Sequence, residues 1–377
     1  MARAWADVDL DAIVHNVTVL KNHVAPARLC AVVKAHGYGH GSVDVSRAAL
    51  AAGADWLAVA QVPEAVTLRE AGIDAPLLLL SEPRPEELDV IVGLDTRVTV
   101  YTSDIITQLG EAVRRRGGLR PVPVHLKVDT GMRRVGVAPG DALSLAKAIA
   151  DNPGLELEGV FTHFPVADEP GNEFTGEQIA RFETVLADLH NAGFTPQIRH
   201  AANSAAAICF PESRFDLVRC GIAVYGVPPS PALDGLVDLR PALSLVSEVS
   251  YVKEVPAGEG VSYGLRQRTG RDTVVATVPI GYADGVFRAL PLAGAEVLIH
   301  GRRRPMIGVV TMDQLMVDCG SDDDVGRGDT VILLGAQGDE RITPDEWATK
   351  LGTISYEVVC AIGPRVERRH GSGPATP

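Results

Sequence analysis

The strongest constraint on the fold is a rhythm. Through the first 240 of 377 residues, short apolar runs alternate with amphipathic stretches at helical spacing. The runs fall near residues 29–33, 56–60, 76–80, 97–100, 122–128, 155–162, 196–200 and 216–218. Between them, Ile13, Val17 and Leu20 share one helical face, as do Ile106, Leu109 and Val113, and Ile179, Phe182, Val185 and Leu189. Buried strands joined by helices imply right-handed βαβ units and a parallel sheet. Eight such units over about 240 residues is the size of a (β/α)8 barrel. A doubly wound open sheet is the competing arrangement, but no Gly-x-Gly-x-x-Gly follows the first run, which counts against a dinucleotide-binding form.

After residue 240 the texture changes. Runs near 246–255, 273–280, 296–299, 306–310, 314–317 and 330–334 are β-rich and broken by glycine and turn residues. One helix is expected, near 343–351, where Thr343-Pro344-Asp345-Glu346 is a helix start. The expected organisation is therefore a (β/α)8 TIM-type barrel over 1–240, a mainly antiparallel β-domain over 241–370, and a disordered tail over 371–377.

A net charge of -13 argues against nucleic acid or an anionic membrane as partner, since both need a basic surface. A local pocket can still be basic on an acidic protein. Cys30, Cys209, Cys220, Cys319 and Cys360 are scattered without a Cys-x-x-Cys pair. With no signal-peptide stretch and no run of 18 apolar residues, a reduced, cytoplasmic protein is expected.

The residues able to do chemistry cluster just after the apolar runs. Lys34 follows the first, Lys127 and Asp129 end the fifth, His163 the sixth, His200 the seventh and Arg219 the eighth. In a (β/α)8 barrel these are the C-terminal strand ends, where reaction centres are assembled. Polar residues are partly expected there in any barrel, because buried chain returns to water. A lysine directly after a buried strand is partly desolvated, which frees its amine to react with a carbonyl group. The blander alternative is a lysine reaching solvent ahead of a flexible loop. His36 and His40 have no carboxylate or cysteine partners at ligand spacing, so no metal is expected. Arg219-Cys220-Gly221-Ile222, and Ser204 after Asn203, suit a phosphate through backbone N–H groups and a hydroxyl. Each also reads as an ordinary turn or cap.

VVKAHGYGHG around Lys34 resembles the cofactor-lysine signature of alanine racemases. HLKVDTGMRRVG (125–136), THF (162–164), HAANS (200–204), VRCGIAVYG (218–226), GEGVSYG (258–264), GYADG (281–285), VVTMDQ (309–314) and ISYE (354–357) resemble that family too, in its order. The resemblance covers nearly the whole chain. It implies a fold-type III enzyme that uses pyridoxal 5′-phosphate to interconvert L- and D-alanine, supplying D-alanine for peptidoglycan, as a head-to-tail homodimer. It implies that Lys34 carries the cofactor, that Tyr38, Ser204, Gly221, Ile222 and Tyr356 hold its phosphate with Asn203 beside them, and that Arg219 faces its pyridine nitrogen supported by His200. His163 would neighbour Tyr263, which reaches in from the partner subunit. Arg134 and the Met312 N–H would take the substrate carboxylate, Tyr282 would line the entrance, and Lys127 matches a lysine that is carbamylated in many members.

The chain departs from the family pattern twice. The usual Lys-Ala-Asn-Ala-Tyr is Lys34-Ala35-His36-Gly37-Tyr38, and the usual Gly-Met-Gly-Arg is Gly131-Met132-Arg133-Arg134. The second leaves open which arginine meets the carboxylate, and the spacing to Lys127 favours Arg134.

Racemisation removes the α-proton from one face and returns it to the other. Two bases on opposite faces suffice, Lys34 for the D face and Tyr263 for the L face. A free tyrosine, with a pKa of about 10, is only ~0.1% phenolate at pH 7, a handicap of roughly 4 kcal/mol. A nearby cation, Arg134 or a His163 backed by Arg219, is expected to reduce it. A related serine or broad-spectrum racemase and a barrel-type decarboxylase are the rival enzymes. A non-catalytic cofactor carrier is disfavoured by the roughly 130 residues of second domain.

Overall fold

The computed structural model describes residues 3–117, 120–321 and 324–371. These form two compact units.

Strand β1 (Ala4–Asp9) opens the chain and runs into the helix Leu10–Val24. Eight parallel strands follow: β2 (Arg28–Val32), β3 (Trp56–Val59), β4 (Leu77–Leu79), β5 (Arg97–Val100), β6 (Val122–Lys127), β7 (Leu155–Phe161), β8 (Ile198–His200) and β9 (Leu217–Cys220). Neighbours in sequence pair from β2 through β8, and β9 returns to pair with β2. Between β8 and β9 two backbone bonds replace a full ladder: Asp216 N–H to the Arg199 carbonyl and Arg219 N–H to the Ala202 carbonyl, both 3.0 Å. The barrel is therefore nearly closed. Every residue of β3, β4 and β9 is buried, which is why these strands read as continuous apolar runs rather than alternating ones.

The helices between them follow the expected faces. In Ser103–Arg115, Ile106, Leu109 and Val113 are buried, and the Thr102 hydroxyl caps the first turn by accepting from Ile105 N–H. In Phe174–Asn191, the buried set includes Ile179, Phe182, Val185 and Leu189.

The second unit holds β10 (Leu243–Glu248), β11 (Tyr251–Val255), β12 (Gly260–Val261), β13 (Gln267–Arg268), β14 (Thr273–Val278), β15 (Glu296–Ile299), β16 (Arg302–Ile307), β17 (Leu315–Asp318), β18 (Thr330–Gln337), β19 (Glu340–Ile342) and β20 (Glu367–Gly371). Its main sheet runs β11-β14-β17-β16-β15-β18-β10-β1-β20, antiparallel except where β1 meets β20. The core behind it includes Val297, Leu298, Ile299, Val331, Leu333 and Trp347. The helix Pro344–Leu351 starts where the sequence places it, with the Thr343 hydroxyl accepting from Glu346 N–H at 3.2 Å.

Four details differ from the sequence reading. Residues up to Ala12, expected in the barrel, belong to the second unit, as do Tyr38–Gly41. The cause is that β1 alternates Ala4, Ala6 and Val8 inward and Trp5, Asp7 and Asp9 outward, a half-buried pattern that suits a sheet covered on one face, and it pairs there between β10 and β20. The run at 246–255 is two strands rather than one. A second helix, Ser355–Cys360, escapes a sequence search because it is short and its Ile354 cap offers no side-chain acceptor. Gly371 closes β20 instead of opening a tail, and residues 372–377 of that expected tail lie outside the described residues.

Candidate active site

Lys34 comes two residues after the last residue of β2, and the chain behind it does something rare. Ala35 (φ 51, ψ 51), His36 (φ 54, ψ 42), Gly37 (φ 63, ψ 47) and Tyr38 (φ 50) all lie in the left-handed region. Left-handed conformation costs an L-residue about 1–2 kcal/mol, so a run of it persists only where surroundings dictate it. Gly37 N–H bonds the Val33 carbonyl at 3.0 Å. Ala35 N–H donates to the Glu64 carboxylate at 2.6 Å, whose other oxygen takes Ala60 N–H (2.8 Å) and Gln61 N–H (3.1 Å). The change from Asn-Ala to His36-Gly37 suits this backbone, since histidine tolerates the left-handed region and glycine is unpenalised in it. Glu64 was not singled out in the sequence. It lies 30 residues from Lys34, and no local pattern links them.

Arg219 is the hub of the barrel. It lies within β9 rather than beyond its end, fully buried. Nη1 donates to His200 Nδ1 at 2.8 Å, and Nη2 reaches the Thr162 and Ala201 carbonyls at 2.9 Å and His163 Nδ1 at 3.3 Å. Nε has no acceptor among the described residues. Burial lowers its pKa to about 10, against two neighbouring thiols, so it remains a cation at neutral pH. Burial, then the charges of Arg219, Arg134, Lys127 and Lys34, hold His163 well below the ordinary histidine range. His163 is therefore neutral and is not the cation expected beside Tyr263. With Nδ1 accepting from Arg219, its Nε2 carries the proton and offers a hydrogen bond instead.

Lys127 closes β6 with its side chain buried, Nζ 5.3 Å from the centre of the Phe161 ring. Burial, then Arg219, Arg134 and Lys34, push it from the usual 10.5 down to about 8, with Asp129 opposing. Asp129 is mostly occupied by the next loop, accepting from Gly131 N–H (2.9 Å) and Arg133 N–H (3.0 Å). Arg133 is 71% exposed, stands 3.9 Å from Asp129 and adopts φ 59. A glycine is usual at that position, and the left-handed backbone explains why. Arg134 is the arginine whose charge Lys127 and His163 feel.

A polar corner forms where β8 and β9 end. Ser204 opens the helix Ser204–Cys209 and its hydroxyl accepts from Gly221 N–H (2.9 Å) and Ala223 N–H (3.5 Å), at the start of the turn Ile222–Tyr225. Asn203 spends both ends of its amide on the protein, taking Ala206 N–H at 3.0 Å and donating to the Phe164 carbonyl at 3.2 Å. These two bonds fix Asn203 at this corner.

The second unit gathers the remaining predicted residues in pairs. Tyr38 and Tyr356 stand with ring centres 6.3 Å apart. The turn at Tyr282 packs on the turn at Met312, with Tyr282 N–H on the Thr311 carbonyl (3.0 Å) and Ala283 N–H on the Met312 carbonyl (3.1 Å). Gly281 permits this, because a Cβ there would lie 2.3 Å from the Met312 oxygen. Tyr263 stands by itself, 72% exposed, after Ser262, whose hydroxyl is tied to the Val309 carbonyl at 2.8 Å.

A parallel barrel with its ionisable groups at the C-terminal strand ends, joined to an antiparallel β-unit, is the architecture that the sequence resemblance implies, shared by barrel-type racemases and decarboxylases. The comparisons make this specific. The family model of the alanine racemase N-terminal domain matches residues 8–229, and that of the C-terminal domain matches residues 242–370. A curated alanine racemase of Symbiobacterium thermophilum is 48% identical over 98% of both chains, and one of Thermobifida fusca is 46% identical over 97% of both. The solved structure of alanine racemase from a D-cycloserine-producing Streptomyces lavendulae superposes with a TM-score of 0.93 at 40% identity, covering 99% of this chain and 98% of that one. That from Bacillus anthracis, solved with bound L-Ala-P, gives 0.91 at 41% identity, covering 98% and 95%. The chain belongs to the alanine racemase family.

Proposed function

We propose that this enzyme binds pyridoxal 5′-phosphate at the C-terminal strand ends of its barrel and interconverts L- and D-alanine with Lys34 and Tyr263 as its two bases. The observation that carries the reading is the donor set in the barrel. Four cationic side chains, Lys34, Lys127, Arg134 and Arg219, lie close enough to depress a shared neighbour, His163. Arg219 keeps one N–H without a protein acceptor, and Ser204 with Gly221 and Ala223 forms a hydroxyl-and-amide corner. That set fits a phosphate, a ring nitrogen and a carboxylate.

The cofactor, when bound, supplies the electron sink that makes the α-proton removable. Lys34 holds the cofactor and moves the proton on one face. Tyr263 moves it on the other, and its exposure on this chain agrees with a role in a partner's site. Arg134, with the Met312 N–H, orients the substrate carboxylate. Arg219 would hold the ring nitrogen through its Nε–H and, being a cation that does not readily release its proton, would not protonate it. A cofactor held in this way would favour racemisation over transamination. Tyr38, Tyr356, Ser204, Gly221 and Ile222 hold the phosphate, Tyr282 lines the entrance, and Lys127 is a carbamate that orients Arg134. A homodimer is part of the proposal, supported by the exposed Tyr251, Leu265, Met312 and Ile354 on the unit that carries Tyr263. No helix among the described residues is long and apolar enough to cross a membrane. A cytoplasmic place and the supply of D-alanine to peptidoglycan rest on family membership.

The test is to purify the protein, record the cofactor's visible absorbance band, and follow D-alanine formation from L-alanine with Lys34→Ala as control. A band with D-alanine from the wild type alone supports the reading. A band without D-alanine would redirect the substrate to another amino acid, and no band with added cofactor would overturn the assignment of Lys34.

A further inference from the structure

Behind Arg219, on the side away from its unpartnered Nε, a row of polar groups crosses the barrel core. His200 Nε2 lies 2.8 Å from His125 Nδ1, and His125 Nε2 lies 2.9 Å from Glu158 Oε2. Arg97 ends the row, with Nε 3.4 Å from the same carboxylate oxygen. Both histidines are completely buried. Burying such a row is costly unless every member is paired, and an apolar core of equal volume would often be as stable or more so.

The barrel is shaped to hold it. The β6–β7 register slips between Val124 and His125, which sets His125 opposite Gly159. A Cβ on Gly159 would lie 2.5 Å from His125 Nδ1, so only glycine leaves room for that ring to meet His200. His200 stacks on Phe161 with centres 4.6 Å apart and planes 8° from parallel, and His125 packs on Trp56 at 5.6 Å.

The hydrogens in the row can point only one way. Arg219 has donors alone, so His200 Nδ1 accepts and its proton is on Nε2. His125 Nδ1 then accepts, its proton is on Nε2, and that proton goes to the Glu158 carboxylate. Burial raises the Glu158 pKa, but His125 and Arg97 outweigh it, and the carboxylate stays ionised. Each link is dictated from both ends.

We propose that Glu158 and His125 are positioning residues for the reaction: they hold the His200 ring against Arg219, and so hold Arg219 in the orientation that presents its Nε–H to the ring nitrogen. Without Glu158, the His125 Nε2–H has no acceptor in the core. The His125 ring must turn to find one, which withdraws the acceptor from the His200 Nε2–H and loosens the ring that Arg219 Nη1 is bonded to.

The role of Arg219 rests on the proposed function, whereas the tautomers do not. The experiment is therefore imidazole 15N NMR of the full-length protein, wild type against Glu158→Leu, Glu158→Gln and His125→Phe, with thermal unfolding as a control for folding. Wild type should show both histidines protonated on Nε2. Glu158→Leu should cost His125 its defined Nε2 protonation, and His125→Phe, which keeps a ring on Trp56, should leave the His200 Nε2–H without an acceptor and shift its 15N signal. Glu158→Gln, whose side-chain oxygen still accepts, should keep the wild-type tautomers. In kinetics, Glu158→Leu should lower kcat about 10-fold, the scale typical of an outer supporting group, with KM little changed and more pyruvate formed per turnover, and Glu158→Gln should recover most of it. An unchanged His125 spectrum in folded Glu158→Leu protein, an unchanged His200 signal in folded His125→Phe protein, or Nδ1 protonation in the wild type, overturns the proposal. A wild type that makes no D-alanine would instead count against the proposed function, and the NMR result would still stand.

Discussion

Lys127 makes a prediction that can be worked through numerically. Its amine falls from 10.5 to about 8 in the folded barrel, and at 1.36 kcal/mol per pH unit this is a penalty of about 3 kcal/mol on the charged form. The unfolded chain holds that proton more tightly. Below pH 8 the full penalty therefore weakens folding, and it is relieved as pH rises from about 8 toward 10.5. Two perturbations remove it. Lys127→Met keeps the length of the side chain and deletes the charge. Carbon dioxide does the reverse chemistry on the native residue: the neutral amine adds CO2, releases a proton and becomes a carbamate anion among Arg219, Arg134 and Lys34. In buffer stripped of bicarbonate, denaturant unfolding at pH 7 should find Lys127→Met more stable than wild type by up to about 3 kcal/mol. The gap should shrink near pH 10. Adding bicarbonate should raise the wild type alone, with a mass increase of one CO2 on the peptide containing Lys127, and only the wild type should gain activity. Equal stability of the two proteins at both pH values, together with no response to bicarbonate, would show that the amine is not held as buried and cation-crowded as described.

Three further perturbations separate the roles of individual residues. Arg133→Gly relieves a left-handed arginine and should raise stability by up to about 1 kcal/mol, less the extra freedom of glycine in the unfolded chain, without changing KM for L-alanine more than about twofold, the scale of a lost surface charge. A large rise in KM would move the carboxylate from Arg134 to Arg133. Arg219→Glu should increase pyruvate formation during turnover, because a carboxyl group would let the ring nitrogen take a proton, and no increase would count against that account of reaction specificity. Tyr263→Phe should retain the cofactor band while D-alanine formation collapses. If residual activity kept the wild-type basic limb of its pH profile, the phenol would not be the titrating group.

Much of this was legible in the sequence, for identifiable reasons. The central strands β3 and β4 leave unbroken apolar runs because every residue in them is buried, and Lys34, Lys127, His163 and His200 were readable as strand-end residues from the apolar runs. β1 was not, since Ala4, Ala6 and Val8 make a weak alternation within an acidic segment. Arg219 was placed one strand end too far because the eighth run is short and its arginine continues the strand inward. Glu64, Glu158 and Gly159 were invisible for a common reason. Each acts on a residue about 30 positions away, and helical and strand periodicities register only neighbours. A buried polar position inside an apolar strand, such as His125, was the one local sign that the barrel interior held more than packing.

The electrostatics of the barrel show how a chain of net charge -13 can still present a local cluster of cations, as the proposed anionic cofactor requires. Each cation arrives from a different element: Lys34 after β2, Lys127 at the end of β6, Arg134 from the loop that follows, Arg219 inside β9. Because they are brought together by closure of the sheet, no neighbour in sequence supplies their counter-charge, and Asp129 is already bound to the backbone of its own loop. Burial is the largest cause of the depressed pKa values of Lys127 and His163, and the same set of cations adds to both. A carboxylate at Arg134 and a carbamate at Lys127 would each cancel part of that repulsion. The two should therefore form cooperatively, with the neutral imidazole of His163 as one reason the cluster is tolerable before either is present.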